Sequence, residues 1–477
     1  MNDFKTGSSK ASIHLENATP APASPRENSP AMESLQNPQN WPLWKKNAQI
    51  LMVAFHSMMG TFMAAGIIPA YDSLAEEYGI TVPQASYLTS FQILMLGLSP
   101  LIWNPITAIY GRYNVSLLSV LGSMVCNIGG ARCTSYGGQM ATRVLTAFLI
   151  SPPIGIGSGV ITELCEPGER GKKLGWWMLL TTIGTPSGPF LMGFVTQHIG
   201  VQWIFWIYAI VNFVQFIFYL AIGDETLYHE GVYHGSFSFW AKMKLQRRTT
   251  KKLSISSIFA PFSLVGSPRV LIIAFAHAVT FCYGNIALIV EMPIAFGEKF
   301  HFDPQQIGLQ FIAIIIGCVL GEQVGGPGSD WFLRRVRKAK GYSHPVDRLW
   351  FAYIAFGTVI AGLITWGFQL QNATTTWNVT PCVGAAIASF GCQLQTTVLT
   401  TFAVESERQR AAEVGVFVNV CRQIYGFLGP FYFPDMFSAL GLGGAAGVMV
   451  AIISGAALLP VIAVQVVVIK TDNKDQV

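Results

Sequence analysis

The stretch GVMVAIISGAALLPVIAVQVVVI, residues 447–469, carries no charged side chain on any face. A helix rises about 1.5 Å per residue, so about 20 apolar residues match the ~30 Å hydrocarbon core of a bilayer. Helices of soluble domains keep a polar face, and this one has none. The same signature recurs from about Asn47 to Lys470 as apolar stretches divided by short polar breaks. The pattern predicts an all-α membrane protein with twelve spans. They fall near 47–70, 84–109, 113–132, 136–162, 174–198, 202–223, 269–296, 304–328, 348–370, 378–403, 412–438 and 444–469. Composition agrees: charged residues are 12% and apolar residues 51% of the chain, against roughly a quarter charged in soluble domains.

The net charge of +5 does not point to nucleic acid, because the basic residues sit in short loops rather than on one face. Lys45, Lys46, Arg112, Arg170, Lys172 and Lys173 fall on one predicted side. So do Lys242, Lys244, Arg247, Arg248, Lys251, Lys252, Arg334, Arg335, Arg337, Lys338, Lys340, Arg408 and Arg410. Only Arg132 and Lys299 fall on the other. Such a bias places the basic side, and with it both termini, in the cytoplasm. Residues 1–45, rich in Ser, Pro, Ala and Asn, read as a disordered cytoplasmic tail without the apolar core of a signal peptide. The sequon at Asn372 lies on the outer side and fits a glycosylation acceptor. Eight scattered cysteines and eight ungathered histidines give no metal, cofactor or disulfide framework.

The polar segment 224–267 divides the chain into an N-terminal bundle, 46–223, and a C-terminal bundle, 268–470, with a short tail at 471–477. The halves echo each other. Asn104-Pro105 runs into Tyr110-Gly111-Arg112 after span two, and Gly326-Pro327 runs into Asp330 and Arg334 after span eight. Gly188-Pro189 in span five matches Gly429-Pro430 in span eleven. Paired Gly/Pro interruptions at corresponding places point to a transporter built from repeats, with its site between them.

Span five carries the most specific pattern: Gly175, Gly184, Gly188-Pro189 and Gly193, with Met192 in place of a further glycine. This spacing resembles the antiporter signature of the major facilitator superfamily. Arg143 in span four, Glu169-Arg170-Gly171-Lys172, Asp224-Glu225-Thr226-Leu227-Tyr228, Asn37–Pro42 and Leu101–Pro105 resemble fungal members of its twelve-span drug:proton antiporter branch. The resemblance implies two pseudo-symmetric six-helix bundles working by alternating access. It also implies a cytoplasmic gate at Gly111, Arg112, Gly326, Asp330 and Arg334. The family's usual aspartate in the first of these loops is replaced by Ala108, so a charge latch is expected on Asp330 and the nearby end of span eleven.

Charges at membrane depth need partners or a wet cavity. Arg143, Glu322 and Glu291 are therefore the proton-coupling candidates, Glu322 first, with Glu291 read rather as a snorkelling or structural group. Candidates for the cavity wall are His56, Gln92, His277, Asn285, Gln393, Asn419, Arg422 and Tyr425. Two deep arginines imply either an anion-tolerant cavity or neutralisation by carboxylates. Few amides and hydroxyls in an apolar setting suit amphipathic organic molecules. The expectation is a monomeric plasma-membrane exporter of small organic compounds against protons, with a vacuolar location as the alternative. A proton-coupled importer of a nutrient or polyamine and a polytopic membrane enzyme are the rival readings. No phosphate-binding G-x-x-x-x-G-K-[ST] stretch supports an ATP-driven pump.

Overall fold

The computed structural model describes residues 37–227, 247, 254–341 and 344–475. Those residues form helices: α1 (Leu43–Tyr78), α2 (Val82–Tyr110), α3 (Arg112–Gly130), α4 (Tyr136–Leu164), α5 (Pro167–His198) and α6 (Gln202–Ile222). Beyond the linker come α7 (Pro268–Phe300), α8 (Pro304–Lys340), α9 (Leu349–Asn372), α10 (Thr380–Ser406), α11 (411–440) and α12 (442–475). The expected tail up to residue 36 and the basic side chains of Lys242, Lys244, Arg248, Lys251 and Lys252 lie outside the described residues. The described structure begins earlier than the expected end of the tail, with a turn at Pro38–Asn40 and Trp41 packed against a buried cluster of α1 and α4.

Ten helical stretches among the described residues are long and apolar enough to cross a membrane. The difference from the expected twelve has two sources. First, α11 and α12 form one continuous stretch broken only at Gly441, whose φ of 68° and ψ of 168° are non-helical. The backbone N–H of Gly443 then donates to Gln371 Oε1 at 2.6 Å, capping the start of α12. Second, α3 is long enough, with 19 residues, but its serines and asparagines make it less apolar. They face inward: Ser119 meets His56, and Ser123 accepts from Asn212 Nδ2 at 2.9 Å.

Helices α1–α6 pack among themselves, as do α7–α12, and the two groups meet along α2 with α11 and α5 with α8. At the end remote from the termini, Tyr87 stacks on Phe431 with centroids 4.4 Å apart, and His198 hydrogen-bonds Gln305 at 2.9 Å. At the terminal end, a linker helix (Ile255–Gly266) inserts Ile258 and Phe262 into a cluster with Leu98 and Leu101 of α2 and Val416 and Val420 of α11.

One element is much longer than expected. The span near 304–328 continues to Lys340, so Arg334 and Arg335 lie on helix rather than in a tight loop. Neither glycine nor proline occurs between Gly328 and Gly341, and Arg, Lys and Ala are good helix formers. Gly341, at φ 81°, finally ends the helix. Its first-half counterpart stops at once: Gly111, at φ 90°, is the single residue between α2 and α3.

Candidate functional site

A central cavity of about 50 Å³ lies between the two groups of helices. Thr61, Ala64 and Ala65 of α1, Thr89, Ile93 and Leu96 of α2, and Thr181, Thr182 and Thr185 of α5 form one side. Phe281, Asn285 and Ile289 of α7, Cys392, Gln393 and Thr396 of α10, and Arg422 and Gln423 of α11 form the other. A π-helical turn at Cys282–Ile286 within α7 brings Asn285 to the wall. Such a turn inserts one extra residue and rotates the rest of the helix about its axis, and it recurs at functional sites. Gly284 packs closely there, since a Cβ would stand 3.1 Å from Val359 Cγ1. Nothing in the sequence announced this turn.

Arg422 is the one charged side chain among the described residues lining the cavity. Its guanidinium carbon sits 4.6 Å from the Phe281 ring centroid, and Nη2 donates to Asn419 Oδ1 at 2.8 Å. Asn419 Nδ2 in turn donates to Leu96 O at 3.4 Å, tying α11 to α2. No carboxylate lies within ion-pair distance of Arg422 among the described residues, and its Nε has no hydrogen-bond partner among them. A charge at membrane depth costs about 2.5–3.5 kcal/mol on insertion scales, and here only neutral groups offset it.

Glu322 of α8 is 6% exposed and points from the side toward this wall. Its Oε2 accepts from Gln393 Nε2 at 2.6 Å and from Thr397 Oγ1 at 2.9 Å. Gln393 therefore touches both the cavity and the buried carboxylate. The thiol of Cys318 lies within electrostatic reach of Glu322.

The other predicted groups are placed differently. Of the eight expected on the wall, Asn285, Gln393 and Arg422 are there. His56 instead bridges α6 and α3, with Nδ1 3.1 Å from Tyr219 Oη and Nε2 3.2 Å from Ser119 Oγ. The hydroxyl partners on those helices draw its ring away from the cavity. Gln92 is fully buried on a neighbouring face of α2, since Thr89, Ile93 and Leu96 take the wall. His277 lies beside Phe281, and the Phe281 ring lines the wall in its place. Tyr425 pairs its hydroxyl with that of Tyr283, 3.4 Å away. Asn419 stands behind Arg422, one hydrogen bond from the wall.

Arg143 is 1% exposed and donates from Nη2 to Ala64 O at 2.9 Å. It pairs with no carboxylate among the described residues. Glu291 is 5% exposed, so it does not snorkel outward as expected. The part of α7 on which it sits is buried against α1 and α11. Tyr71, within electrostatic reach of both Arg143 and Glu291, donates to Thr89 Oγ1 at 2.7 Å.

The glycines of α5 serve close packing on two sides. A Cβ on Gly184 would stand 2.5 Å from Met58 O of α1, and one on Gly188 the same distance from Phe62 O. A Cβ on Gly193 would stand 2.5 Å from Pro304 O of α8. Pro189 lies inside the helix between these contacts, and Gly175 faces open space.

Besides the Lys45–Asp224 and Arg410–Glu413 pairs, two ionic clusters among the described residues occupy equivalent places at the terminal end. In the first half, Arg112 Nη2 meets Glu163 Oε1 at 2.6 Å and Nη1 donates to Ile156 O at 3.0 Å. The carboxylate of Glu225 accepts the backbone N–H groups of Arg112 at 2.9 Å and Tyr113 at 3.3 Å, capping α3. In the second half, Arg348 pairs with Asp330 at 3.0 Å and Glu405 at 3.2 Å. The expected partnership of Asp330 with the end of span eleven is thus replaced by one with the start of α9 and the end of α10. Both clusters stay within one half and neither joins the halves. Arg334 is exposed on the α8 extension, and Asn372 is the exposed last residue of α9. Glu163, Arg348 and Glu405 went unread in the sequence, and Glu225 was read only as part of a motif.

The sequence model of the Major Facilitator Superfamily matches residues 50–430. An uncharacterized transporter of Schizosaccharomyces pombe is 26% identical over 444 residues, covering 89% of this chain and 88% of that protein. The efflux pump radE of Floropilus chiversii is 27% identical over 423 residues, covering 85% of this chain and 77% of that protein. Among solved structures, the human organic anion transporter MFSD10 (TETRAN) superposes with a TM-score of 0.62 at 14% identity, covering 89% of this chain and 100% of that one.

Proposed function

Because the chain belongs to the major facilitator superfamily, we propose that it is a proton-coupled exporter of small organic compounds working by alternating access. In this reading α1–α12 each cross the membrane, the termini and basic loops face the cytoplasm, and the chain resides in the plasma membrane as a monomer. The vacuolar membrane is the alternative location. The observation that carries the reading is the cavity, walled by helices of both halves and linked through Gln393 to the buried Glu322. The efflux direction draws support from the names of relatives such as radE.

The chemistry comes from the contacts. Ionised Glu322 accepts two hydrogen bonds, from Gln393 and Thr397. A proton on Oε2, the oxygen that accepts both bonds, would turn it into a donor and make the Gln393 amide re-aim. Because the same amide faces the cavity, proton occupancy and cargo occupancy compete for its orientation. The Gly193 contact of α5 with α8 lets the two halves approach closely.

The test uses purified protein in sealed vesicles with an imposed pH step. Glu322→Gln is expected to abolish gradient-driven accumulation while leaving downhill exchange of cargo. Unchanged proton dependence would remove Glu322 from the mechanism.

A further inference from the structure

The cavity holds a guanidinium with no counter-charge among the described residues. We propose that Arg422 is the recognition site for a carboxylate on the transported compound, so that the cargo is an amphipathic organic anion. The inference rests on the transporter reading and adds the chemical class of its substrate.

Three observations converge on Arg422. It lines the cavity, and no carboxylate stands among the described lining residues. Asn419 and the Phe281 ring fix the guanidinium: the first accepts one N–H, and the second lies against its face. The titratable groups within its electrostatic reach are the imidazole of His277 and the thiol of Cys392, and neither supplies an anion. Arginine's planar fork matches a carboxylate by two parallel hydrogen bonds, and burial makes such a pair stronger than in water. The unpartnered Nε leaves an N–H free to form one of those bonds.

The remaining wall suits the rest of such a molecule. Asn285 Oδ1 and Gln423 Oε1 are buried acceptors without partners among the described residues, fit to receive a hydroxyl or amide N–H of the cargo. Thr181, Thr185 and Thr396 offer adaptable hydroxyls, while Ile93 and Ile289 give apolar contact. Glu322 stands behind Gln393 rather than on the wall, so the carboxylate that handles the proton does not repel the cargo.

Three probes of one shape separate this idea from its rivals: 4-hexylbenzoate, 4-hexylbenzamide and 4-hexylbenzylammonium. Binding to the purified full chain is tracked by ligand-dependent thermal shift in detergent. The benzoate is expected to bind at least tenfold tighter than the amide, and the ammonium more weakly than either. Arg422→Gln should erase the preference for benzoate over amide, and Arg422→Lys should retain part of it. Equal binding of benzoate and amide to the unaltered protein overturns the proposal without recourse to any variant. So does failure of the benzoate to bind at millimolar concentration. Export is read apart from this, as gradient-driven movement of a panel of neutral and cationic tracers in vesicles. A chain that moves those and ignores the benzoate keeps the transporter reading and loses this one.

Discussion

The two ionic clusters at the terminal end occupy equivalent places yet are built differently. Around Arg112 the guanidinium is half-enclosed, with Glu163 beside it, Ile156 O accepting, and Gly159 so close that a Cβ would stand 2.6 Å from Nη2. Around Arg348 the partners are Glu405 and Asp330, and the latter's side chain is 56% exposed. The first half lacks an aspartate in its loop, and Glu225, 113 residues away, reaches back to cap α3 instead. The second half keeps its aspartate and reads it with an arginine. The ends of a bundle are held by a distant carboxylate in one half and a local one in the other.

The largest effect should come from removing the two hubs. Arg112→Ala leaves Glu163 enclosed without its cation, at a cost of about 3 kcal/mol. Arg348→Ala strips the more buried cation, 7% against 16% exposed, from a Glu405 as enclosed as Glu163, and should cost at least as much. Thermal unfolding in detergent measures both, and a smaller loss for Arg348→Ala would break the comparison. Next, Gly159→Ala should cost about 1–3 kcal/mol by pushing the Arg112 guanidinium off Glu163. In an Arg112→Ala background the same change should be nearly silent, since coupled sites are not additive.

Smaller but opposite effects should mark the two loop glycines. Gly111→Ala forces a side chain into φ 90°, at a cost of about 1–2 kcal/mol. Gly326 lies inside the long α8 with open space around it, so Gly326→Ala should stabilise by up to about 1 kcal/mol. A loss at both positions would restore the symmetry that the sequence alone implies. Smallest of all, Arg334→Ala should leave the melting temperature unchanged, since that side chain is exposed. A measurable drop would assign it a gate role after all.

Much of the fold was legible because burial in lipid writes itself into long apolar runs, as residues 447–469 do. The cavity was legible in part. Arg422, Gln393 and Asn285 stood out as polar groups at membrane depth, where such groups are costly. His56 looked the same in sequence but satisfies itself between α3 and α6. Depth along a span can be counted, whereas the helix face a residue presents depends on neighbours far away in the chain. For the same reason Glu163 passed unnoticed and the cap that Glu225 places on α3 went unread: a motif is local, and their contacts with Arg112 are not. The π turn at Cys282–Ile286 shifts helix phase by one residue, which periodicity over a short apolar run does not resolve.

The linker helix behaves as a doorstop. Ile258 and Phe262 are seated between α2 and α11, so any swing that parts those helices at the terminal end must strip this apolar plug into water. Each transport cycle would then carry a toll set by the connector's own side chains, and shortening or softening them would retune how readily the doorway swings without touching cargo or proton.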